Sequence, residues 1–303
     1  MMTSIAMNIS RAALAGIVSV AVAATVHAQQ DFSKVEIKTT KISGNVYTLQ
    51  GQGGTIGALV GPDGVFMVDA QFAPLSDKIA AALKQISDGR IRFVVNTHVH
   101  GDHTGGNPNF ARMGATLLSR EELRARLAKP GKGDPPPAEA LPMLTYRGPL
   151  TIRMNGEEVQ LIPVPTAHTD GDTMIRFVNA DIIMTGDFYR SVGYPNIDRN
   201  NGGSLNGMLA GLQAIVDLAG PNTKIIPGHG PIVDENAVTA HRSMMIALRD
   251  RVAPLVKQGK TQEEVVAAKV NADYDSRVPE PGTTGERFIT QLYAELKSGA
   301  GSQ

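Results

Sequence analysis

The chain has 303 residues, 42% of them hydrophobic, and its 29 basic residues balance its 29 acidic residues. A chain without net charge has no basic field to hold a phosphate backbone, so the composition argues against nucleic acid as a partner. Cysteine is absent, which excludes both a disulfide framework and a metal site built on thiolates.

Residues 1–28 have the pattern of a secretory signal. Arg11 supplies a positive charge, Ala12–Val26 is uncharged and apolar, and Val26-His27-Ala28 is a small-x-small cleavage site. The apolar stretch is shorter than the roughly 20 residues that span a membrane, although an uncleaved anchor is the alternative. We therefore expect residues 29–303 to be periplasmic or secreted, with no membrane anchor after cleavage.

Short β-like runs separated by turns begin the mature chain. They are Val35–Thr39, Val46–Leu49, Thr55–Val60 and Val65–Asp69. A helix is predicted over Pro74–Ile86 because its apolar residues fall on one face, and the apolar run Ile91–Val95 predicts a buried strand. Gly105-Gly106-Asn107 is expected to open a short helix, and Ser119-x-x-Glu122 predicts a capping box for a helix that reaches about Ala128.

A proline- and glycine-rich segment, Pro130 to Ala138, cannot form regular structure and separates the two halves of the pattern. It is either a lid or wall of a substrate cleft or a surface excursion. The runs Leu150–Met154, Val159–Val164, Thr173–Val178, Asp181–Met184 and Lys224–Pro227 then predict a second set of strands.

Helices fill the rest of the chain. Ser204 is expected to cap a helix that reaches Leu218, a long helix is predicted from about Glu235, Thr261-x-x-Glu264 forms a capping box, and a last helix begins near Gly285. Two β-rich blocks that alternate with helices fit a sandwich with sheets inside and helices outside. We therefore predict one α/β domain over 29–303, with a helical extension from about residue 235.

The side chains that can support chemistry lie in one run and three later positions. The set is His98, His100, Asp102, His103, His168, Asp187 and His229. It includes five of the seven histidines, and each group follows a β run, so all members should meet at one edge of the sheets. The alternative is a group of loop histidines that binds no metal.

The spacing within this set predicts two metal ions. His98 and His100 are two residues apart, so an extended or tightly turning segment can aim both imidazoles to one side. A turn can then direct Asp102 and His103 at a second ion. Imidazoles with a few carboxylates suit Zn²⁺, with Fe or Mn as alternatives. Two such ions about 3.5–4 Å apart hold a bridging water and lower its pKa to roughly 7.

The run His98-x-His100-x-Asp102-His103 resembles the signature of the metallo-β-lactamase superfamily, and the later ligands occur in that family's order. The resemblance covers roughly Val35 to Val233 and implies a four-layer αββα sandwich with two zinc ions per chain. It also implies a ligand assignment: His98, His100 and His168 for the first ion, Asp102, His103 and His229 for the second, and Asp187 as the bridge. The alternative for Asp187 is a capping residue at a turn.

Expectations can also be stated for four individual residues. Asp102 is the candidate catalytic residue, because it can orient the hydroxide or pass on its proton. Asp69 either supports the metal loop by hydrogen bonding, as a similar aspartate does in the family, or only ends its strand. Tyr189 is a possible oxyanion contact, with a buried structural tyrosine as the alternative. His241 is expected to be a surface or helix-packing histidine.

The resemblance implies a hydrolase in which a metal-bound hydroxide opens the carbonyl group of a small molecule. A β-lactamase-like activity on cyclic amides is the first expectation, supported by the secretory signal, the long C-terminal helices and the lack of cysteine. Asp187 favours a lactonase or thioesterase instead, because the lactonases and the glyoxalase II-like thioesterases have a bridging carboxylate that true β-lactamases usually lack. A periplasmic metal-binding accessory protein with little turnover is the third possibility.

Overall fold

Two β-sheets form the centre of the computed structural model, which describes residues 31–129, 136–279 and 281–299. Within these residues the first sheet has seven strands in chain order: β1 Lys38–Ser43, β2 Val46–Gln50, β3 Ile56–Leu59, β4 Val65–Val68, β5 Ile91–Val95, β6 Thr116–Arg120 and β7 Leu144–Tyr146. Strands β1 to β4 pair antiparallel, whereas β4 to β7 pair parallel.

The second sheet has five strands in the described part of the chain. They are β8 Leu150–Met154, β9 Glu157–Pro163, β10 Thr173–Phe177, β11 Ile182–Met184 and β12 Lys224–Ile226, in the spatial order β12-β11-β10-β9-β8. The pairs are antiparallel except for β11 with β12, which run parallel. Strands β9, β11 and β12 therefore point the same way, and their carboxyl ends lie at one edge of the sheet.

Alternation along the strands separates the core into layers. Phe66 and Val68 belong to a cluster that includes Val159 and Phe177 of the other sheet, and this cluster fills the space between the sheets. Their neighbours on β4 point to the opposite face, where they pack with residues of the flanking helices such as Ile79. Every residue of β3 and β4 is buried, so these strands are covered on both faces. Their sequences are accordingly apolar without interruption.

Helices cover both outer faces. They are α1 Ser76–Lys84, α2 Gly101–Thr104, α3 Asn107–Arg112, α4 Glu121–Leu127, α5 Leu205–Leu218, α6 Glu235–Lys257, α7 Gln262–Ala267, α8 Ala272–Asp275 and α9 Gly285–Lys297. The second sheet packs against α5, α6 and α9 through residues such as Ile225, Leu212 and Phe288. The predicted four-layer αββα sandwich is confirmed.

Several predicted boundaries are confirmed by the structure. Ser204 accepts a hydrogen bond from the backbone of Gly207, and Thr261 and Glu264 form the complete capping box. The long helix begins at Glu235 and the last helix at Gly285, as expected. The residues from Phe32 onward belong to one compact unit.

The predicted capping box at Ser119 and Glu122 is wrong. Ser119 lies in β6 and is fully buried, and its hydroxyl donates to the carbonyl of Arg120 instead of capping a helix. Glu122 forms an ion pair with the side chain of Arg120. Pairing of β6 with β5 and β7 therefore extends the strand through the position where the motif would start a helix.

Other sequence expectations shift or fall outside the described chain. The first strand begins at Lys38 rather than Val35, and β7 had no counterpart among the predicted runs. The predicted signal over 1–28 and the segment 130–135 of the predicted loop lie outside the described residues, so both remain predictions. No helix among the described residues is long and apolar enough to cross a membrane.

Candidate metal centre

The loop after β5 brings four of the candidate ligands together. Thr97 is held by Asp69, whose carboxylate accepts hydrogen bonds from the Thr97 backbone nitrogen and hydroxyl, both at 2.7 Å. Asn96 and Asn107 exchange side-chain hydrogen bonds at 3.0 and 2.8 Å, which ties the start of the loop to α3. The helical turn α2 then places Asp102 and His103 beside His98 and His100.

The first group of ligand atoms comes from His98, His100, His168 and Asp187, and these atoms lie within 4.8 Å of one another. The second nitrogen of each imidazole has a partner that fixes the ring. Thr97 Oγ1 is 3.1 Å from His98 Nδ1, Asp198 Oδ2 is 2.7 Å from His100 Nε2, and the Asn196 carbonyl oxygen is 2.6 Å from His168 Nδ1. The remaining nitrogens are therefore directed at a common point, which is how outer hydrogen bonds orient metal-binding histidines.

The second group comprises Asp102, His103 and His229, whose ligand atoms also lie within 4.8 Å of one another. His103 Nδ1 contacts Asp69 Oδ2 at 2.7 Å, so Nε2 of the same ring faces the group. His229 Nε2 is 3.1 Å from Asp102 Oδ2. Asp69 thus contacts both the backbone of the loop and one of its ligands, which supports the predicted hydrogen-bonding role over a plain strand end.

Asp187 lies between the two groups. Its Oδ1 is 3.2 Å from His103 Nε2 and 3.3 Å from His229 Nε2, while its Oδ2 is 4.0 Å from His168 Nε2. The carboxylate follows β11, in a short 3-10 turn over Gly186–Phe188. Each oxygen therefore faces a different histidine group, as a bridging ligand requires.

Three buried polar atoms in this cluster have no hydrogen-bond partner among the described residues: His98 Nε2, His103 Nε2 and Asp187 Oδ1. Buried polar groups are otherwise almost always paired, and an unpaired one costs about 1–3 kcal/mol. His103 Nε2 and Asp187 Oδ1 are only 3.2 Å apart, yet neither has a hydrogen-bond partner among the described residues. Five imidazoles and two carboxylates that converge and leave these three atoms unpaired fit divalent cations with a preference for nitrogen and oxygen ligands.

Burial and charge divide the histidines into two classes. Burial lowers the pKa of His168 to about 4 and that of His98 well below its usual value, so both imidazoles are neutral and able to act as ligands. Burial alone would also lower the pKa of His103, but the carboxylates of Asp69 and Asp187 hold it well above its usual value. Burial would raise the pKa of Asp187, but His103 and His229 hold it well below its usual range.

The structure identifies two supporting carboxylates that sequence reasoning missed. Asp198 contacts His100 although 98 positions separate them, and no local pattern signals that contact. Asp172 accepts hydrogen bonds from the backbone nitrogens of His168 and Thr169 and from the Thr169 hydroxyl, so it fixes the loop that presents His168. Burial raises the pKa of Asp172 to about 7 despite these donors. The Thr169-x-x-Asp172 spacing is a local signal for such bonding.

The two remaining candidates lie beside the cluster. Tyr189 is only 2% exposed, and its ring packs against the imidazole of His241 at a centroid distance of 5.2 Å. This position favours the alternative of a buried structural tyrosine, and the oxyanion contact remains a prediction. Arg190, the next residue, places Nη1 3.9 Å from Asp187 Oδ2 and was not singled out from the sequence. His241 lies in α6, and its contact with Tyr189 agrees with a helix-packing histidine rather than a surface one.

Gly228 provides a steric test of the centre. A Cβ at this position would overlap with Asp187 Oδ1 and would lie 2.7 Å from the carbonyl carbon of Gly186. We expect Gly228→Ala to displace Asp187 and to lower the affinity for metal about 10-fold or more. Metal content after dialysis checks this. Gly148→Ala is the matched control, because nothing lies within 4 Å of a Cβ there. Equal metal content in the two variants would contradict the close packing at Gly228.

Comparison with known proteins gives the class of this chain. The profile of the metallo-beta-lactamase superfamily matches residues 49–232, which is more than half of the sequence. The chain belongs to the metallo-β-lactamase superfamily, and the resemblance carried by the histidine and aspartate run is confirmed.

Curated relatives share part of the sequence. Hydroxyacylglutathione hydrolase of Nitrosococcus oceani is 26% identical over 170 residues, which are 56% of this chain and 60% of that protein. Beta-lactamase-like protein 2 homolog of Caenorhabditis elegans is 24% identical over 248 residues, covering 80% of this chain and 77% of that protein. The alpha subunit of 2,4-dinitroanisole O-demethylase from a Nocardioides species is 30% identical over 51% of this chain and 48% of its own length. The chain thus spans about 60% of the hydroxyacylglutathione hydrolase that it matches.

Solved structures show the same fold. A metallo-beta-lactamase from Pontibacter korlensis superposes with a TM-score of 0.58 at 18% identity, covering 70% of this chain and 99% of that one. The inverting sec-alkylsulfatase Pisa1 from a Pseudomonas species has a TM-score of 0.68 at 15% identity, covering 85% and 50%. The family and the curated hydroxyacylglutathione hydrolase relatives together support a metal-dependent hydrolase.

Proposed function

We propose that this chain is a dinuclear zinc hydrolase that cleaves thioesters or related activated esters of a small molecule. The observation that supports this choice is the position of the Asp187 carboxylate between the two histidine groups. By resemblance, thioesterases and lactonases of the superfamily have such a carboxylate and true β-lactamases usually lack it. The partial similarity to hydroxyacylglutathione hydrolases supports the same choice.

Each ligand has a defined part in holding the ions. His98, His100 and His168 would hold one ion, Asp102, His103 and His229 the other, and Asp187 would contact both. When bound, a pair of dications supplies a water of lowered pKa and polarises a carbonyl oxygen. The negative charge of Asp187 offsets the repulsion that two like charges at such short range would otherwise produce.

The chain's own residues provide the access and the proton transfer. His100, Asp102 and His229 keep between 20% and 27% of their side chains exposed, so they form the open face of the centre. Burial would raise the pKa of Asp102, but the hydrogen bond from His229 and the charge of His103 hold it below the usual value. Asp102 is therefore a carboxylate at neutral pH and can accept a proton from an attacking water at this face.

Metal analysis with a substrate panel tests the proposal. We expect about two zinc ions per purified chain and turnover of a thioester above that of a lactone or a chromogenic β-lactam. Chelation should abolish turnover and added zinc should restore it. His98→Ala and His229→Ala should each lower metal content and nearly abolish hydrolysis. Full activity after complete metal removal would refute the proposal, and turnover of β-lactams alone would restore the cyclic-amide activity that other sequence features favour.

Export is a separate part of the proposal and is supported by the pattern of residues 1–28. If the signal is cleaved after Ala28, the N-terminal sequence of protein expressed in a Gram-negative host begins at Gln29. Protein recovered from the cytoplasm that still begins at Met1 would contradict cleavage.

A further inference from the structure

A cavity of about 340 Å³ lies directly behind the metal-ligand loops. The segment after Asp187 forms one wall through Tyr189 and Arg190, α6 forms another through Ala240 and His241, and the segment that includes Tyr274 closes the third. The backbone nitrogen of Ser191 donates to the carbonyl of His229 at 3.1 Å, so this wall is joined to a ligand loop. A molecule in the cavity would therefore lie next to the centre.

The cavity has the size and the lining of a small-molecule site. Such sites measure about 300–1,000 Å³ and combine apolar walls with a few polar groups. A dry apolar cavity of roughly 150 Å³ already holds benzene, so this one has room for an acyl chain of several carbons. Its apolar lining includes Val233, Ala240 and Met244. The exposed surface of Ala240 leaves the cavity open to solvent.

Arg190 is the charged residue of the lining that lies beside the metal centre. Its Nε is buried and has no hydrogen-bond partner among the described residues, and its Nη1 lies 3.9 Å from Asp187 Oδ2. A guanidinium offers five N–H donors, and burying them unpaired is costly. An oxygen acceptor on a ligand would satisfy them, and the position beside Asp187 puts that acceptor at the edge of the centre.

His241 makes the opposite wall compatible with an apolar ligand. Its ring contacts Tyr189, and its nitrogens have no hydrogen-bond partner among the described residues. Burial lowers the pKa of His241 to about 4, so the imidazole is neutral at physiological pH. The lining therefore has one guanidinium beside Asp187, at Arg190, and a second, exposed one at Arg277, while residues such as Val233 and Met244 make the rest apolar.

We propose that this cavity binds the acyl arm of the substrate, a medium-length apolar chain, with the acyl oxygen held by Arg190. The proposal rests on the ester or thioester hydrolysis proposed above and adds a chain-length preference to it. It also gives a function to α6 and the segment that follows, which the ligand assignment leaves unused.

Substitution at Ala240 tests the cavity against a matched control. Ala240→Phe fills it, whereas Ser243→Phe adds the same side chain to an exposed position of the same helix outside the lining. We expect the ratio of kcat/KM for p-nitrophenyl octanoate to that for p-nitrophenyl acetate to fall at least about tenfold in Ala240→Phe. The ratio should not change in Ser243→Phe. Equal ratios in the two variants would overturn the proposal.

Calorimetric binding of octanoate to the purified zinc-loaded protein separates this inference from the hydrolase proposal. Octanoate should bind more tightly than acetate, and Ala240→Phe should remove the difference. Arg190→Met, which keeps length but removes the donors, should weaken octanoate binding about 10-fold or more. Loss of octanoate binding in Ala240→Phe supports the cavity even if neither ester is cleaved. Ester turnover with no preference for the longer chain would overturn the cavity and leave the hydrolase proposal standing.

Folding of these variants is checked by circular dichroism and zinc content. Should Ala240→Phe fail to fold, Ala237→Leu fills the same cavity from the preceding turn of α6 with a strong helix former. The expected and overturning results are then the same as those stated for Ala240→Phe.

Discussion

Asp187→Asn is expected to lose one of two bound zinc ions and most of the thioester turnover. The substitution preserves the shape of the side chain but removes the negative charge that lies 3.2 Å from His103 and 3.3 Å from His229. Repulsion between the two cations then rises, and an amide nitrogen replaces one of the two ligand oxygens. Changes of this kind in metal sites commonly cost about 10–100-fold in affinity or activity. Zinc analysis after dialysis and thioester kinetics measure both effects.

Asp181→Asn is the matched control for this change. Asp181 has a positive φ of 54° and its Oδ1 accepts a hydrogen bond from Thr223, at the opposite end of β11. Asparagine tolerates that backbone conformation, so the variant makes the same change in charge away from the centre. Two zinc ions and unchanged turnover in Asp187→Asn would show that Asp187 only caps a turn. The main argument against a β-lactamase would then be lost.

The layers of the fold could be predicted because strand and helix periods are local properties. The continuous apolar run Val65–Val68 indicates a strand buried on both faces, and in the structure Phe66 and Val68 face the other sheet while their neighbours face α1. Short polar motifs were less reliable. Ser119 and Glu122 have capping-box spacing, but pairing of Ser119 with Thr145 of β7 keeps Ser119 in a strand.

The convergence of the candidate ligands could be predicted, but most of their supporting partners could not. His98 to His103 lie in one run, and the later ligands follow strands that end at one edge of the sandwich. By contrast, Asp198 reaches His100 across 98 positions, a contact that depends on how the loops fold back. Sequence reasoning selected Tyr189 for the oxyanion role, whereas it is the side chain of the next residue, Arg190, that reaches Asp187, with Nη1 3.9 Å from Oδ2. Tyr189 and Arg190 lie in an irregular segment after β11, where no strand or helix period selects one side chain over the other.

Asp69→Asn is expected to weaken the second metal group and to destabilise the fold, although Asp69 binds no ion in the proposed assignment. Its carboxylate is 1% exposed and has three partners at 2.7 Å: the Thr97 backbone nitrogen, the Thr97 hydroxyl and His103 Nδ1. Asparagine has one acceptor oxygen and an NH₂ group that can only donate. At least one of the three donors therefore loses its acceptor.

The backbone should not be the cause of this loss, because Asp69 has a φ of 64° and asparagine is tolerated there. An unpaired buried donor costs about 1–3 kcal/mol, and each kcal/mol corresponds to roughly 2–4 °C in melting temperature for a chain of this size. Zinc affinity should fall about 10–100-fold, because the acceptor that orients the His103 ring is lost. Calorimetric melting and zinc titration measure the two effects. Asp63→Asn, in the exposed turn between β3 and β4, is the control for charge. If Asp69→Asn melted and bound zinc like Asp63→Asn, Asp69 would be only a strand-end residue.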